Sequence, residues 1–339
     1  MNSDTIQSAQ IVKPLNLGFL GVGWIGRNRM DVLVKNGVAI PAVISDVNIE
    51  NAVSISMDDT VVCTCIEKLL EHTSLDGVVI ATPSALHAEQ AKAALNAGFA
   101  VFCQKPLGRN LDEVSSVVNT ARSKNRFLGI DFSYRFLKTV SIVNNLNRCG
   151  DIGKVFAVDA VFHNAYGPDK PWFYDAQLSG GGCVIDLGIH LVDLVLYLFD
   201  FPVVSGVHSR LYANGKRIRG RGSEVEDYAS ANFELENGCV VNLACSWRLQ
   251  AGQDAIIGLT IYGTEGALSI KNVAGSFYDF KAERYRGTKR EVLYDSADDW
   301  GGGAILNWAR RLGQDNTFDD SVAEVQKVTD VLDQIYNNS

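Results

Sequence analysis

The sequence predicts an α/β protein of two domains. The first is built on a parallel sheet covered by helices on both faces. The second is an α/β domain on a mostly antiparallel, open sheet. Three observations carry this. Up to about residue 132, short apolar runs alternate with amphipathic segments at strand–helix spacing, the pattern of right-handed crossovers. After about Arg148 the texture changes to stretches that alternate apolar and polar, as half-buried antiparallel strands do. A chain of 339 residues also exceeds one ordinary core and fits two. The boundary is expected within 135–151, giving domains 1–135 and 136–339, with a polar extension over 1–14.

Taken in order, residues 15–20 form an apolar run that opens onto a glycine loop, and 24–36 then reads as a helix. A second run, 39–45, ends at Asp46; 61–65 is a weak strand followed by a short helix through Leu70. Residues 77–81 make a strong buried strand, and the helix 84–97 is closed by Gly98. Strand 100–103, helix 111–124 and a sixth strand, 127–132, complete the first sheet. In the second half, strands are expected over 154–163, 227–236, 239–247, 258–262 and 267–271, with turns such as Glu236-Asn237-Gly238 between them. One long apolar helix, 184–199, interrupts them, and two helical segments, 303–312 and 321–336, close the chain.

Composition excludes several function classes. Apolar residues make up 47% of the chain and charged residues 21%, which suits a globular protein. A formal charge of -8 leaves no basic excess to release counterions from a phosphate backbone, so no nucleic-acid partner is expected. No apolar run approaches a membrane span, and the first fourteen residues lack the basic-then-apolar pattern of a signal peptide. The seven cysteines, scattered and odd in number, look like reduced core thiols, so the expectation is a cytoplasmic protein without membrane contact. Only Cys63 and Cys65 are close in sequence and no second pair supplies further ligands, so no metal site is expected.

The glycine loop is Gly21-Val22-Gly23-Trp24-Ile25-Gly26. Gly21 permits the turn out of the strand, Gly23 lets backbone approach a pyrophosphate, and Gly26 lets the helix pack on the sheet. The helix N-terminus then offers oriented N–H groups to phosphates. Such turns are common alone. Here the loop follows a strand, opens a helix and precedes Asp46, about twenty residues on at the next strand's end. That context points to a Rossmann dinucleotide-binding domain, with a solvated loop carboxylate as the other reading of Asp46. Asp46 is placed to accept hydrogen bonds from the adenosine ribose, which favours NAD, while Arg27 and Arg29 keep NADP open. Thr82, Pro83 and His87 follow the fourth strand at the sheet's carboxyl edge, where cofactors lie. His87 reads as a neighbour of the cofactor or as a packed early-helix residue. In Gln104-Lys105-Pro106 the lysine leaves the sheet at the same edge, held by the proline; in isolation a solvated loop lysine is the better reading.

In the 184–199 helix the polar exceptions Asp186, His190 and Asp193 fall on one stripe. Asp186 is expected to hydrogen-bond His190 and raise its basicity; a purely structural buried pair has the same spacing. Gly180-Gly181-Gly182 and the polar, aromatic loop 163–179 just before it favour catalysis. That loop holds Asn164, Tyr166, Asp169, Lys170, Trp172 and Tyr174, a mixture suited to a polyhydroxylated small molecule and also found in ordinary surface loops. Trp247-Arg248 and Tyr134-Arg135, at strand ends, belong with it, and Arg135, Tyr166 and Trp172 are the expected substrate contacts.

The glycine loop, Ile80-Ala81-Thr82-Pro83 with His87, Gln104-Lys105-Pro106 and Asp186-Leu187-Gly188-Ile189-His190 together resemble the Gfo/Idh/MocA oxidoreductases over nearly the whole chain. The resemblance implies NAD(P)-dependent oxidation or reduction at a carbinol carbon of a sugar, inositol or nucleotide sugar. It implies Lys105 on the reacting oxygen, His190 as general acid or base, Asp186 orienting it, and a cis peptide before Pro106. It also implies a homodimer or homotetramer joined through the open sheet. Gln104 stands where the family motif has glutamate. Two other readings remain: a glycoside-cleaving enzyme that oxidises its substrate transiently with NAD, and a non-catalytic NAD-binding sensor. Retention of both Lys105 and His190 speaks against the sensor.

Overall fold

The computed structural model describes residues 13–297 and 300–339, so the expected extension 1–14 lies, except for its last two residues, outside them. Six strands form the first sheet: β1 (Leu15–Leu20), β2 (Ala39–Ser45), β3 (Val61–Cys63), β4 (Gly77–Ile80), β5 (Ala100–Cys103) and β6 (Leu128–Ile130). Their order is β3-β2-β1-β4-β5-β6 and every pairing is parallel. The helices α1 (Trp24–Lys35), α2 (Ile49–Val53), α3 (Ile66–Leu70), α4 (Ser84–Asn96) and α5 (Leu111–Lys124) make the crossovers. β4 and β5 are buried at every position because helices cover both faces, which is why their sequences read as unbroken apolar runs.

The second sheet has nine strands. They are β7 (Val155–Asn164), β8 (Val204–Ala213), β9 (Lys216–Ile218), β10 (Tyr228–Leu235), β11 (Val240–Ser246), β12 (Ala255–Gly263), β13 (Ala267–Asn272), β14 (Phe280–Arg286) and β15 (Lys289–Asp295). The order is β15-β14-β13-β12-β7-β11-β10-β8-β9, antiparallel except where β11 runs parallel to β7. In β10, Ala229, Ala231, Phe233 and Leu235 are buried while Ser230, Asn232 and Glu234 are exposed, so one face packs and the other is open. The packed face is covered by α6 (Lys138–Arg148), by the helical segment from Val184 to Leu198 that follows the short α7 (Ala176–Ser179), and by the closing helix α10 (Glu324–Asn337).

Three expectations need correction. The stretch Ala176–Leu198 is long and apolar enough to cross a membrane, contrary to the sequence reading. Its apolar side chains are buried against the nine-stranded sheet and α10, which makes it a core helix. Nor is it one regular helix: Val184–Gly188 is a π-helical turn, and α8 (Ile189–Leu198) follows. Finally, residues 136–339 are not one contiguous domain. The helix α9 (Gly303–Leu312) returns to the first sheet, where Ile305, Trp308 and Leu312 share a core with Leu17, Phe19 and Phe102. Trp308 lies 5.5 Å from Phe102, centroid to centroid, and Phe127 N–H donates to the Asn316 carbonyl at 2.9 Å.

Candidate functional site

The cleft begins where β1 meets α1. Gly21 has φ +83° and a Cβ there would lie 2.8 Å from the Ala81 carbonyl, so no other residue fits without displacing backbone. A Cβ on Gly26 would come within 2.1 Å of the Gly21 oxygen, so helix and turn are in direct backbone contact. At Gly23, by contrast, the same construction meets open space, and no side chain caps the first turn of α1. An uncapped helix N-terminus facing a void is what a pyrophosphate needs. Asp46 stands beside it, nearly buried. Its Oδ2 accepts the Val22 N–H and its Oδ1 the Asn48 N–H, both at 2.9 Å. The residues present therefore fit a dinucleotide.

Opposite this loop, the buried His87 imidazole spans 2.7 Å to the Pro106 carbonyl and 2.7 Å to the Thr82 carbonyl. Burial pushes it below its ordinary pKa, the two carbonyls pull it up, and the Lys105 charge pushes it down again. It braces the end of β4 against the Lys105–Pro106 peptide, which is cis as the resemblance implied. Gln104 is buried and donates its amide to Asp131 Oδ2. Arg29 Nε reaches the same oxygen at 2.5 Å, and Ser133 Oγ donates to Asp131 Oδ1 at 2.6 Å. The Arg29 guanidinium lies over the Trp300 ring, 5.4 Å from its centroid, and Trp300 stacks on Trp24 at 6.2 Å.

Lys105 Nζ donates to the Asp186 carbonyl at 2.8 Å and to Asp186 Oδ1 at 2.9 Å; Trp247 Nε1–H donates to Oδ2 at 3.0 Å. The expected Asp186–His190 hydrogen bond is absent: the carboxylate faces Lys105 and Trp247. Asp186 lies in the π-helical turn Val184–Gly188. His190 keeps a buried Nδ1 with no protein partner among the described residues. Its ring stands edge-on to Tyr134 at 4.9 Å. Burial, then the charges of Lys105 and Arg29, push its pKa well below the ordinary histidine value, so the imidazole is neutral at pH 7.

These groups line one cavity of about 960 Å³ between the two sheets' domains. Every expected cofactor and substrate residue lines it except Gly26, Arg135 and Tyr166. Gly26 sits behind the loop as packing. Arg135 is turned away: its guanidinium chelates the buried Asp193, with Nε 2.9 Å from Oδ2, and lies among the rings of Phe132, Tyr197 and Phe201. Tyr166 is more than half exposed and donates its hydroxyl to Asp254. Tyr174 is spent on the Pro168 carbonyl at 2.9 Å and does not line the cavity either. The triple glycine is a packing feature: a Cβ on Gly182 would sit 1.9 Å from the Glu226 carbonyl oxygen, and Glu226 Oε1 anchors the Gly182 and Val184 N–H groups and the Tyr336 hydroxyl. Sequence reading missed Asp131 and Trp300. It took Arg29 only as keeping NADP open and Trp247 only as belonging with the substrate loop, whereas Arg29 pairs with Asp131 on the cavity wall and Trp247 reaches the site through Asp186.

Residues 15–132 match the model of the oxidoreductase family with an NAD-binding Rossmann fold, and 142–269 match the GFO/IDH/MocA C-terminal domain. The chain belongs to the GFO/IDH/MocA family of NAD(P)-dependent oxidoreductases. It is 29% identical over 242 residues to a glucose-6-phosphate 3-dehydrogenase of Bacillus subtilis, covering 68% of this chain and 67% of that one. It is 25% identical over 304 residues to a D-glucoside 3-dehydrogenase of Escherichia coli, covering 86% of each. Among solved structures it superposes on a 3-ketoreductase from Actinomadura kijaniata in complex with NADP and TDP-benzene. The TM-score is 0.82 at 20% identity, covering 95% of this chain and 96% of that one.

Proposed function

We propose that the protein moves a hydride between NAD and a carbinol or ketone carbon of a sugar, inositol or related polyol. Lys105 holds the reacting oxygen and His190 exchanges its proton. The observation that carries this is the convergence of Lys105, from the end of β5, and His190, from α8, on one cavity whose floor is the uncapped α1 N-terminus. The nicotinamide, when bound, supplies the hydride acceptor or donor. A neutral imidazole can accept a hydroxyl proton, and the adjacent ammonium stabilises charge growing on that oxygen. Asp186 then has a different role from the one its spacing suggested. It positions Lys105, and its own orientation is fixed by Trp247. Replacing Lys105 or His190 by Ala is expected to cut turnover about a hundredfold or more while leaving cofactor binding intact. Near-normal turnover of His190→Ala would make the histidine a structural residue. Glycoside consumption without net NADH would instead indicate transient oxidation followed by cleavage.

The cofactor is assigned as NAD rather than NADP because the Asp46 carboxylate borders the ribose end of the cavity and opposes a 2′-phosphate. Tighter binding of NADP than of NAD would overturn that. The open face of the nine-stranded sheet, with Val240, Asn242, Ser230 and Asn232 exposed, is assigned to a homodimer or homotetramer interface. The seven unpaired cysteines suit a reducing, cytoplasmic setting.

A further inference from the structure

By their names, the two relatives above act on a phosphorylated sugar and on an uncharged glycoside respectively. The charges on the cavity wall of this chain separate those alternatives. Among the described residues, the cationic side chains lining it are Arg29, Lys105 and Lys170. Each already holds a carboxylate. Arg29 Nε is 2.5 Å from Asp131 Oδ2 with both groups buried. Lys105 Nζ is 2.9 Å from Asp186 Oδ1, largely shielded. Lys170 Nζ is 3.0 Å from Asp169 Oδ2 in an exposed pair, so an anion approaching that lysine meets its carboxylate too. Asp46 and Glu67 add two further carboxylates, so five acids face three bases. The lining histidines, His87 and His190, are both held below the ordinary histidine range by burial and add no positive charge at pH 7.

A phosphate or carboxylate on a substrate is recognised by charge-assisted hydrogen bonds from unspent cations. Here each cation on the wall already has its carboxylate. Lys105 keeps a third N–H for a neutral substrate oxygen, but turning a buried cation over to an anion strands its carboxylate without a partner. Arg248 offers no substitute: it lies over the Tyr174 ring at 5.0 Å and does not line the cavity. The α1 N-terminus fits the cofactor's own pyrophosphate, and the short α7 is already capped by Asp175. What the substrate side does offer is aromatic surface, from Trp172, Phe173, Phe277, Tyr278 and Trp300. Ring faces stack on the C–H faces of an uncharged sugar without needing its charge.

We infer that the substrate is an uncharged sugar, polyol or glycoside, and that phosphorylated sugars, uronic acids and nucleotide sugars are excluded by the paired, net-negative wall. This rests on the function proposed above and selects within it. The test uses the full chain. NADH binding is measured first by fluorescence; failure to bind sinks the oxidoreductase reading itself. Then NAD reduction is compared for methyl β-D-glucopyranoside, glucose and myo-inositol against glucose 6-phosphate, glucuronate and UDP-glucose. The expected result is turnover of at least one uncharged compound, with kcat/KM for its charged counterpart lower by about a hundredfold. Equal or better turnover of a charged compound overturns the inference and leaves the oxidoreductase standing. NADH formation with none of the six refutes the sugar reading, and this inference falls with it. A separate titration of inorganic phosphate into the NADH-loaded protein is expected to show no binding below millimolar concentration. Sub-millimolar binding reveals an unspent cation and refutes the argument directly.

Discussion

Gln104→Glu restores the residue that the family motif carries, and the structure predicts that it is harmful here. The Gln104 amide donates to Asp131 Oδ2, an oxygen that also receives Arg29 Nε at 2.5 Å, and Asp131 is almost completely buried. One cation and one anion balance in this cluster, and a neutral donor completes it. A glutamate at this position brings a second carboxylate against the first and offers no N–H in return. Two unit charges about 4 Å apart at an effective dielectric near 20 repel by about 4 kcal/mol. If Arg29 offsets half, about 2 kcal/mol remains, equivalent to roughly 1.5 pKa units. The introduced carboxyl then has a folded pKa above its unfolded value of about 4.3. Below that pH both states bind the proton and the penalty vanishes. As pH rises the unfolded chain ionises first, so the penalty grows until the folded pKa is passed and then stays constant. Urea unfolding of the variant and the parent at pH 5 and pH 8 is the assay. Relative to the parent, the variant is expected to lose an additional 1–2 kcal/mol, in order of magnitude, at the higher pH. A gap that does not change with pH, or a variant more stable at pH 8, would refute the assignment of the amide to an ionised Asp131.

Two further outcomes follow from other parts of the molecule. Arg135→Met leaves Asp193 buried and uncompensated, which is expected to cost about 3–5 kcal/mol of stability. The folded fraction should keep its kcat/KM, because Arg135 does not line the cavity; a selective rise in KM would return Arg135 to the substrate site. His190 has a folded pKa below that of the unfolded chain, about 6.5, so the unfolded state binds a proton first as pH falls through that value. Stability is therefore expected to decline below pH 6.5, and His190→Asn should flatten part of that slope between pH 8 and 5. Identical slopes in the two proteins would contradict a neutral buried imidazole.

The first sheet was legible because its information is local. Strands buried on both faces are continuous apolar runs, and glycines mark the ends of the helices, so β1, β2, β4 and β5 fall within one residue of their expected bounds. The second sheet was legible only at its centre. β14 and β15 carry Lys281, Arg284, Lys289, Arg290 and Glu291, charges that protect a sheet edge and also hide its alternation. The return of α9 to the first domain has no local signal. Its amphipathic stripe shows that something apolar must cover Ile305 and Trp308, but not that the cover is the back of β5 and Phe127.

At the site, residue identity was legible and pairing was not. Lys105, Asp186 and His190 do meet at one cavity, as their motifs implied, but an i, i+4 spacing brings two residues near each other without fixing which partners a carboxylate takes. Here the Asp186 carboxylate is taken by Lys105 and Trp247 instead of by the histidine. The consequence is chemical. An imidazole with a carboxylate behind it is made more basic, whereas His190, buried first of all, then close to two cations and with no partner on Nδ1, is made less basic. The ammonium, in turn, is fixed by Asp186 instead of by a glutamate in the preceding position, so the neutral Gln104 is free to satisfy Asp131. The Gln104 amide on Asp131 and the Asp186 carboxylate on Lys105 thus fit one arrangement, in which Asp186 supplies the negative charge facing Lys105.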